Sequence, residues 1–252
     1  MANSNSWKKI FDDYKILKHD FSKEPFYLSA KDIKKSVQDF KGTSEKEVRI
    51  LCKMDTRESL PDIMKENGLI LLPVKNKFYV IVKGEGYIDI PDVEGEAELY
   101  NTKLDFDLDT TKIGDSEMQH LDFAYASSLI RTFMGDNSLV LTIRGRKYTP
   151  EFSYKVGNNT LETKSVQTEV DAGYEGKDKI VLIEAKNSTT KNTIIRQLYY
   201  PYRQWSEYTK KKVYLLFFEK RGDEYLIWQY EFTDKNDYNS IKLVKSKKYK
   251  IV

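Results

Sequence analysis

Val166-Gln-Thr-Glu-Val-Asp-Ala-Gly-Tyr-Glu-Gly-Lys-Asp-Lys-Ile-Val-Leu-Ile-Glu-Ala-Lys186 is the stretch whose reading decides the fold. Ile180-Val-Leu-Ile183 is a continuous β-favouring apolar run, as expected of a strand buried on both faces. Gly176-Lys-Asp-Lys179 has the composition of a hairpin loop, so the partner strand starts near Val166. A turn centred between Lys177 and Asp178 sets Asp171 opposite Glu184 and Glu169 opposite Lys186. Directly opposed residues hold their Cβ atoms about 5 Å apart, and residues two apart on a strand share a face. One face then carries Glu169, Asp171, Glu184 and Lys186. A one-residue slip would break the set, because it moves one strand's side chains to the other face.

Two opposed carboxylates repel unless a cation sits between them. A hard cation such as Mg²⁺ takes oxygen ligands and keeps several waters, so two carboxylates and a substrate phosphate suffice. Such a metal lowers the pKa of its water and stabilises charge on the phosphate. A nearby lysine can orient the attacking water and offset the developing negative charge. The competing reading is a solvated hairpin face laced with cross-strand ion pairs. The position of the charges at the end of a buried apolar run weighs against it.

Residues 191–208 follow with a helical pattern in which Ile194, Leu198, Tyr202 and Trp205 share a packing face. Pro201 is expected to kink the helix or remove a hydrogen bond. Lys191, Arg196, Gln197, Tyr200 and Arg203 are placed to reach a phosphate backbone. The Asp171…Glu184-Ala-Lys186 arrangement, followed by Gln197-Leu-Tyr-Tyr-Pro-Tyr-Arg203, resembles the PD-(D/E)xK nuclease superfamily, and within it the type II restriction endonucleases. The resemblance covers about residues 113 to 232. Val170 stands where the family often has proline, and Glu169 is an additional acid. The resemblance implies Mg²⁺ held by Asp171, Glu184 and Ala185, with Lys186 assisting the attacking water. It further implies a double-stranded DNA substrate, a homodimer, and a DNA methyltransferase as functional counterpart in a restriction-modification system. Glu169 is either a further ligand or the group that holds Lys186. Two other readings stay open: a repair or junction-resolving nuclease of the same superfamily, and a DNA-binding protein without catalysis.

The flanking elements suit an α+β or α/β core, a mixed central sheet flanked by helices. Ser116 to Phe133 is amphipathic, and Gly135-Asp-Asn stops it. Glu117, in its first turn, is an additional acid whose ordinary role is with the helix dipole. Leu139-Val-Leu-Thr-Ile143 is a strand, Arg144-Gly-Arg-Lys147 its turn, and Glu151 to Val156 the next strand. Val213 to Phe218 and Tyr225 to Phe232 are strands. Arg144, Arg146, Lys147 and the run Lys242 to Lys250 can neutralise phosphates or lie on a solvated surface.

Residues 1–105 form an expected N-terminal α+β unit, and 106–252 the catalytic one. Ser29-Ala-Lys-Asp32 has the form of a capping box, and Leu60 to Asn67 is helical up to Gly68. Glu45 to Met54 is ambiguous. Leu69–Leu72 and Phe78–Val82 are strands joined at Lys75-Asn-Lys77. Helices followed by a hairpin suit a winged-helix-like DNA reader with that basic turn, a dimerisation domain, or an elaboration of the nuclease. Gly84-Glu-Gly86 lacks the third glycine of a dinucleotide motif and is a turn.

Among 252 residues there is one cysteine, Cys52, and there are two histidines, His19 and His120. An internal disulfide and a His/Cys zinc site of ordinary spacing are thereby excluded. The net charge of +3 is mild for a DNA-binding chain. No stretch is long and apolar enough to span a membrane. The first residues lack a signal peptide's apolar core, so the expectation is a cytoplasmic protein.

Overall fold

Ile180 and Leu182 pack into one hydrophobic core, and Val181, Ile183 and Ala185 into a second on the opposite face. Burial on both faces places this strand between two layers, as its unbroken apolar run requires. The computed structural model describes residues 3–252, apart from the side chain of Lys112. Its first part comprises α1 (Ser4–Asp13), β1 (Phe26–Ser29), α2 (Ala30–Ser36), α3 (Thr43–Lys46), α4 (Val48–Leu51), α5 (Asp62–Glu66), β2 (Leu69–Lys75) and β3 (Phe78–Lys83). The remainder comprises β4 (Tyr87–Asp89), β5 (Glu98–Tyr100), α6 (Glu117–Ala126), α7 (Leu129–Met134), β6 (Val140–Tyr148), β7 (Phe152–Val156) and β8 (Asn159–Thr163). It closes with β9 (Gln167–Glu175), β10 (Lys179–Lys186), β11 (Asn192–Ile194), α8 (Arg196–Tyr208), β12 (Lys212–Arg221), β13 (Glu224–Phe232) and β14 (Ile241–Ile251).

The fold is α+β, built on a seven-stranded mixed sheet in the order β5-β14-β13-β12-β10-β9-β6. The β10–β12 and β14–β5 pairs are parallel, and the other pairs are antiparallel. Helices α6 and α7 cover one face through Leu121, Ala124, Leu129, Ile130 and Phe133. Helix α8 covers the other through Leu198 and Tyr199. A separate sheet in the order β1-β3-β2 carries the N-terminal helices. The expected capping box is present: Asp32 N donates to Ser29 Oγ at 3.1 Å, and Ser29 N to Asp32 Oδ2 at 3.1 Å. Gly68 sits at φ +62 just beyond α5, a left-handed stop that glycine adopts without steric cost.

Several expectations change. The residues Arg144 to Lys147 are not a turn but part of β6, where two register shifts and Gly145 at φ +80 bulge the strand. Its ladder to β9 continues through Arg146↔Glu169 and Lys147↔Thr168, so the strand needs no apolar alternation to persist. The helix expected over 116–133 breaks at Ser127–Ser128, with Ser128 at φ +66. The helix expected from Lys191 starts at Arg196, because Asn192–Ile194 pairs with Tyr87–Asp89 instead. It runs on through Pro201 to Tyr208. Residues 242–250 are most of β14, laid against β13 and β5 with most of its lysines exposed, as the solvated-surface alternative has it. There Lys242, Lys247 and Lys250 pair with Glu231, Glu98 and Asp223.

Strands β4 and β5 fall within the expected N-terminal unit, yet the topology attaches both to the second half of the chain. One continuous core runs from Trp7 and Leu51 through Val80 and Tyr200 to Trp228, so both halves share an interior. Tyr200 Oη donates to Pro73 O at 2.8 Å, and Lys164 N to Val74 O at 2.9 Å. No described helix is long and apolar enough to cross a membrane.

Candidate active site

The β9–β10 ladder runs from Ile180↔Glu175 to Ile183↔Ala172, so the next pair by count is Asp171 and Glu184. That is the register expected from the turn. The ladder stops there, and the Asp171 side chain takes over: its Oδ2 accepts from Ala185 N at 2.8 Å. On the other side of β9, Gly173 allows β6 to approach, since a Cβ there would lie 2.6 Å from Ile143 Cβ. Glu169, Asp171, Glu184 and Lys186 all line an open cleft of ≈ 770 Å³. Glu117, at the start of α6, lines it as well. Beside burial, its charge helps to raise the Asp171 carboxyl.

The expected contact between Glu169 and Lys186 is not made. Glu169 pairs with Arg146 at 3.2 Å, its cross-strand partner on β6. Lys186 turns to its own strand, where Nζ contacts Glu184 Oε1 and donates to Ala185 O at 3.1 Å. A lysine reaches its own i−2 neighbour more readily than a residue across a ladder that has already opened.

Burial governs the charges. Glu184 is 8% exposed, and desolvation pushes its carboxyl up to about 7 against the pull of Lys186. Desolvation also raises Asp171, with the bond from Ala185 N and the charge of Lys186 opposing it. Burial presses Lys186 down, but the carboxylates of Glu184 and Asp171 outweigh it and leave the ammonium above its ordinary value. Among the described residues no group of three His, Cys, Asp or Glu side chains is gathered to hold a metal. Two oxygens, Glu184 Oε1 and Ala185 O, nevertheless converge on one cation, the Lys186 ammonium. Carboxylate and carbonyl oxygens are the ligand types that a hard divalent ion takes, with waters in its remaining positions.

Neighbouring elements fix the strand end that carries these groups. Glu219 is the β12 register partner of Lys186 and is wholly buried. It accepts from Thr190 N at 2.8 Å and Arg221 Nε at 2.6 Å, holding the segment that leaves Lys186. Asn192 Oδ1 accepts from Arg57 N at 2.7 Å, and Ile194 N donates to Asp55 O at 2.9 Å. These bonds tie the entrance of α8 to the N-terminal half.

Of the residues expected to meet a phosphate backbone, Arg196, Gln197 and Tyr200 line the cleft, Tyr200 with its hydroxyl spent on Pro73 O. Arg196 pairs with Asp55 at 3.7 Å, and Gln197 Oε1 accepts from Thr193 Oγ1 at 2.7 Å. Lys191, Arg144, Arg146 and Lys147 are exposed but outside the cleft lining, and Arg144 is paired with Asp122. Arg203 is 4% exposed and faces the interior. Its Nη1 donates to Ser153 O at 2.9 Å and Tyr199 Oη at 3.0 Å, and the guanidinium lies 4.5 Å from the Phe152 ring centroid. It is a core strut, because its helical position faces the sheet. Sequence reasoning missed Arg49, Lys53 and Asp55, which also line the cleft. They lie on or beside an ambiguous segment, and only tertiary packing turns them inward.

The family of the domain of unknown function DUF6997 matches residues 82–250, and that of a second domain of unknown function, DUF6996, matches residues 4–81. No curated protein and no solved structure matches the chain.

Proposed function

We propose that this protein, which belongs to the DUF6997 family through residues 82–250, is a Mg²⁺-dependent phosphodiesterase of PD-(D/E)xK type. In this reading it cleaves double-stranded DNA as a type II restriction endonuclease. The observation that carries the reading is the convergence of Asp171, Glu184 and Lys186 in one cleft, with Asp171 and Glu184 in the expected register and Glu117 beside them. A three-residue pattern recurs by chance in many chains. Its assembly at the end of a doubly buried strand, on the face covered by α8, is a more demanding coincidence.

Asp171, Glu184 and the Ala185 carbonyl would hold the ion, which supplies charge to the scissile phosphate and lowers the pKa of a bound water. Glu184 serves as a ligand in its ionised form. Asp171 is oriented by its bond from Ala185 N. Lys186 keeps its proton and offers a fixed positive charge where negative charge develops. Arg196 and Gln197, in the first turn of α8, bind and orient the backbone of the substrate. The order helix, strand, helices, two strands, with β1 against β3, supports reading the N-terminal half as a winged-helix-like DNA reader.

Incubation of the full chain with supercoiled plasmid and Mg²⁺ tests the proposal. Discrete fragments are expected. Smearing, or cutting confined to junctions and damaged sites, would move the protein to a repair role. Binding with no cutting at any divalent cation would refute the catalytic reading.

A further inference from the structure

The hairpin turn of the N-terminal sheet does not project away from the candidate active site. Lys75, Asn76 and Lys77 line the same cleft as Asp171 and Glu184. Arg49 from α4 and Lys53 just beyond it join them. The cleft therefore has two walls of opposite net sign: Glu117, Glu169, Asp171 and Glu184, with Lys186 and Arg196 among them, from the second half of the chain, and these N-terminal cations, with Asp55 among them, from the first. Lys53 has an acidic partner, Asp55, at 3.6 Å. Among the described residues, Arg49, Lys75 and Lys77 make no ion pair. All three are exposed.

We infer that this basic wall is a phosphate clamp: it grips the backbone of duplex DNA across the cleft from the acid cluster, so that one segment of DNA is held and cut. Four observations carry the inference. Unpaired cations facing an acidic centre call for a polyanion between them, since phosphates satisfy the cations while the scissile group approaches the acids. Lys77 holds φ +66, a conformation that costs energy for any residue but glycine, at the tip that enters the cleft. The strand that leads into the turn is held to α8 and to the segment just past β8, through Tyr200 Oη to Pro73 O and Lys164 N to Val74 O. Both walls share one continuous core. A reader on a flexible tether could grip DNA far from the cut; a turn fixed in this way cannot. The choice of duplex DNA as ligand rests on the nuclease reading above, while the clamp itself rests on the two walls.

The test uses the full chain and a fluorescently labelled DNA duplex, titrated without divalent cation over roughly 50 to 200 mM salt. Lys75→Glu combined with Lys77→Glu should weaken binding at least ~10-fold and reduce the salt slope by about 2, at ~0.9 for each phosphate no longer neutralised. Lys75→Gln with Lys77→Gln should lower the slope equally, with a smaller loss of affinity. Lys210→Glu with Lys212→Glu, outside the cleft, should change neither. Thermal melts establish that each variant is folded; both turn lysines are exposed. Wild-type affinity and slope in both turn variants would overturn the clamp, as would a wild-type protein that binds no duplex or binds RNA in preference. A wild type that binds through these lysines yet never cuts supports the clamp and refutes the nuclease. A wild type that cuts while the turn variants bind and cut unchanged refutes the clamp alone.

Discussion

Replacement of Arg203 separates a structural role from a DNA-binding one. Its sequence context places it on a helix beside Gln197, facing phosphate; in the fold its guanidinium is buried. Arg203→Met keeps the aliphatic packing on Phe152 but removes the donors to Ser153 O, Tyr199 Oη and Lys235 O, the last at 3.2 Å. Hydrogen bonds from a charged donor contribute about 1.5–3 kcal/mol each. The attraction to the ring adds about 0.5–2 kcal/mol. These contributions are not additive, and desolvation of the guanidinium, whose buried Nε has no partner, offsets part of them. Breaking a buried charged network by removing one member costs about 3–5 kcal/mol, and that is the expected loss. For a chain of this size it lowers Tm by roughly 10 °C. Differential scanning fluorimetry reads the shift, and a DNA titration below the transition reads binding. The expected pair of results is a large loss of stability with an unchanged salt slope. A Tm within a degree of wild type, together with a slope reduced by about 1, would refute the buried strut and restore Arg203 to the DNA interface.

Lys186→Ala should abolish plasmid cleavage while leaving duplex affinity within about twofold, because a fixed donor aimed at developing negative charge is worth about 100-fold or more in rate. Cutting at the wild-type rate would sink the site assignment. Glu184 titrates near 7 in the folded protein against 4.5 as its ordinary value, so the folded state binds more protons between those limits. Its contribution is fully present below pH 4.5 and is lost as pH rises through 7, by up to about 3 kcal/mol. Urea midpoints at about pH 5 and about pH 8 should therefore differ less in Glu184→Gln than in wild type; equal differences would contradict the burial argument. Gly173→Ala must push β6 from β9 at Ile143, costing about 1–3 kcal/mol. A neutral effect on the urea midpoint would mean that the strands are not packed as described.

The β9–β10 hairpin was legible because its signals are local. Ile180–Ile183 could only be a buried strand, and a symmetric loop fixed Asp171 and Glu184 in register. The Ser29–Asp32 capping box and the Gly68 stop were legible for the same reason. Failures came where a distant partner decided the matter. Asn192–Ile194 continues a helical pattern, yet pairs with residues about a hundred positions earlier. The run Lys242–Lys250 has the composition of a solvated tail, but each paired lysine meets an acid brought from elsewhere in the chain.

The sequence by itself determined the β9–β10 hairpin and the three residues proposed to act there, since period and turn length suffice for neighbours on adjacent strands. Only the tertiary structure decided which way longer side chains turn. It drew Lys186 to Glu184, gave Glu169 to Arg146, and closed Arg203 into the core. It also brought Arg49, Lys53 and the Lys75–Lys77 turn across from the acids, a juxtaposition of residues about a hundred apart in the chain. Side-chain direction and long-range approach depend on packing summed over the whole fold, and no local window of sequence contains that sum.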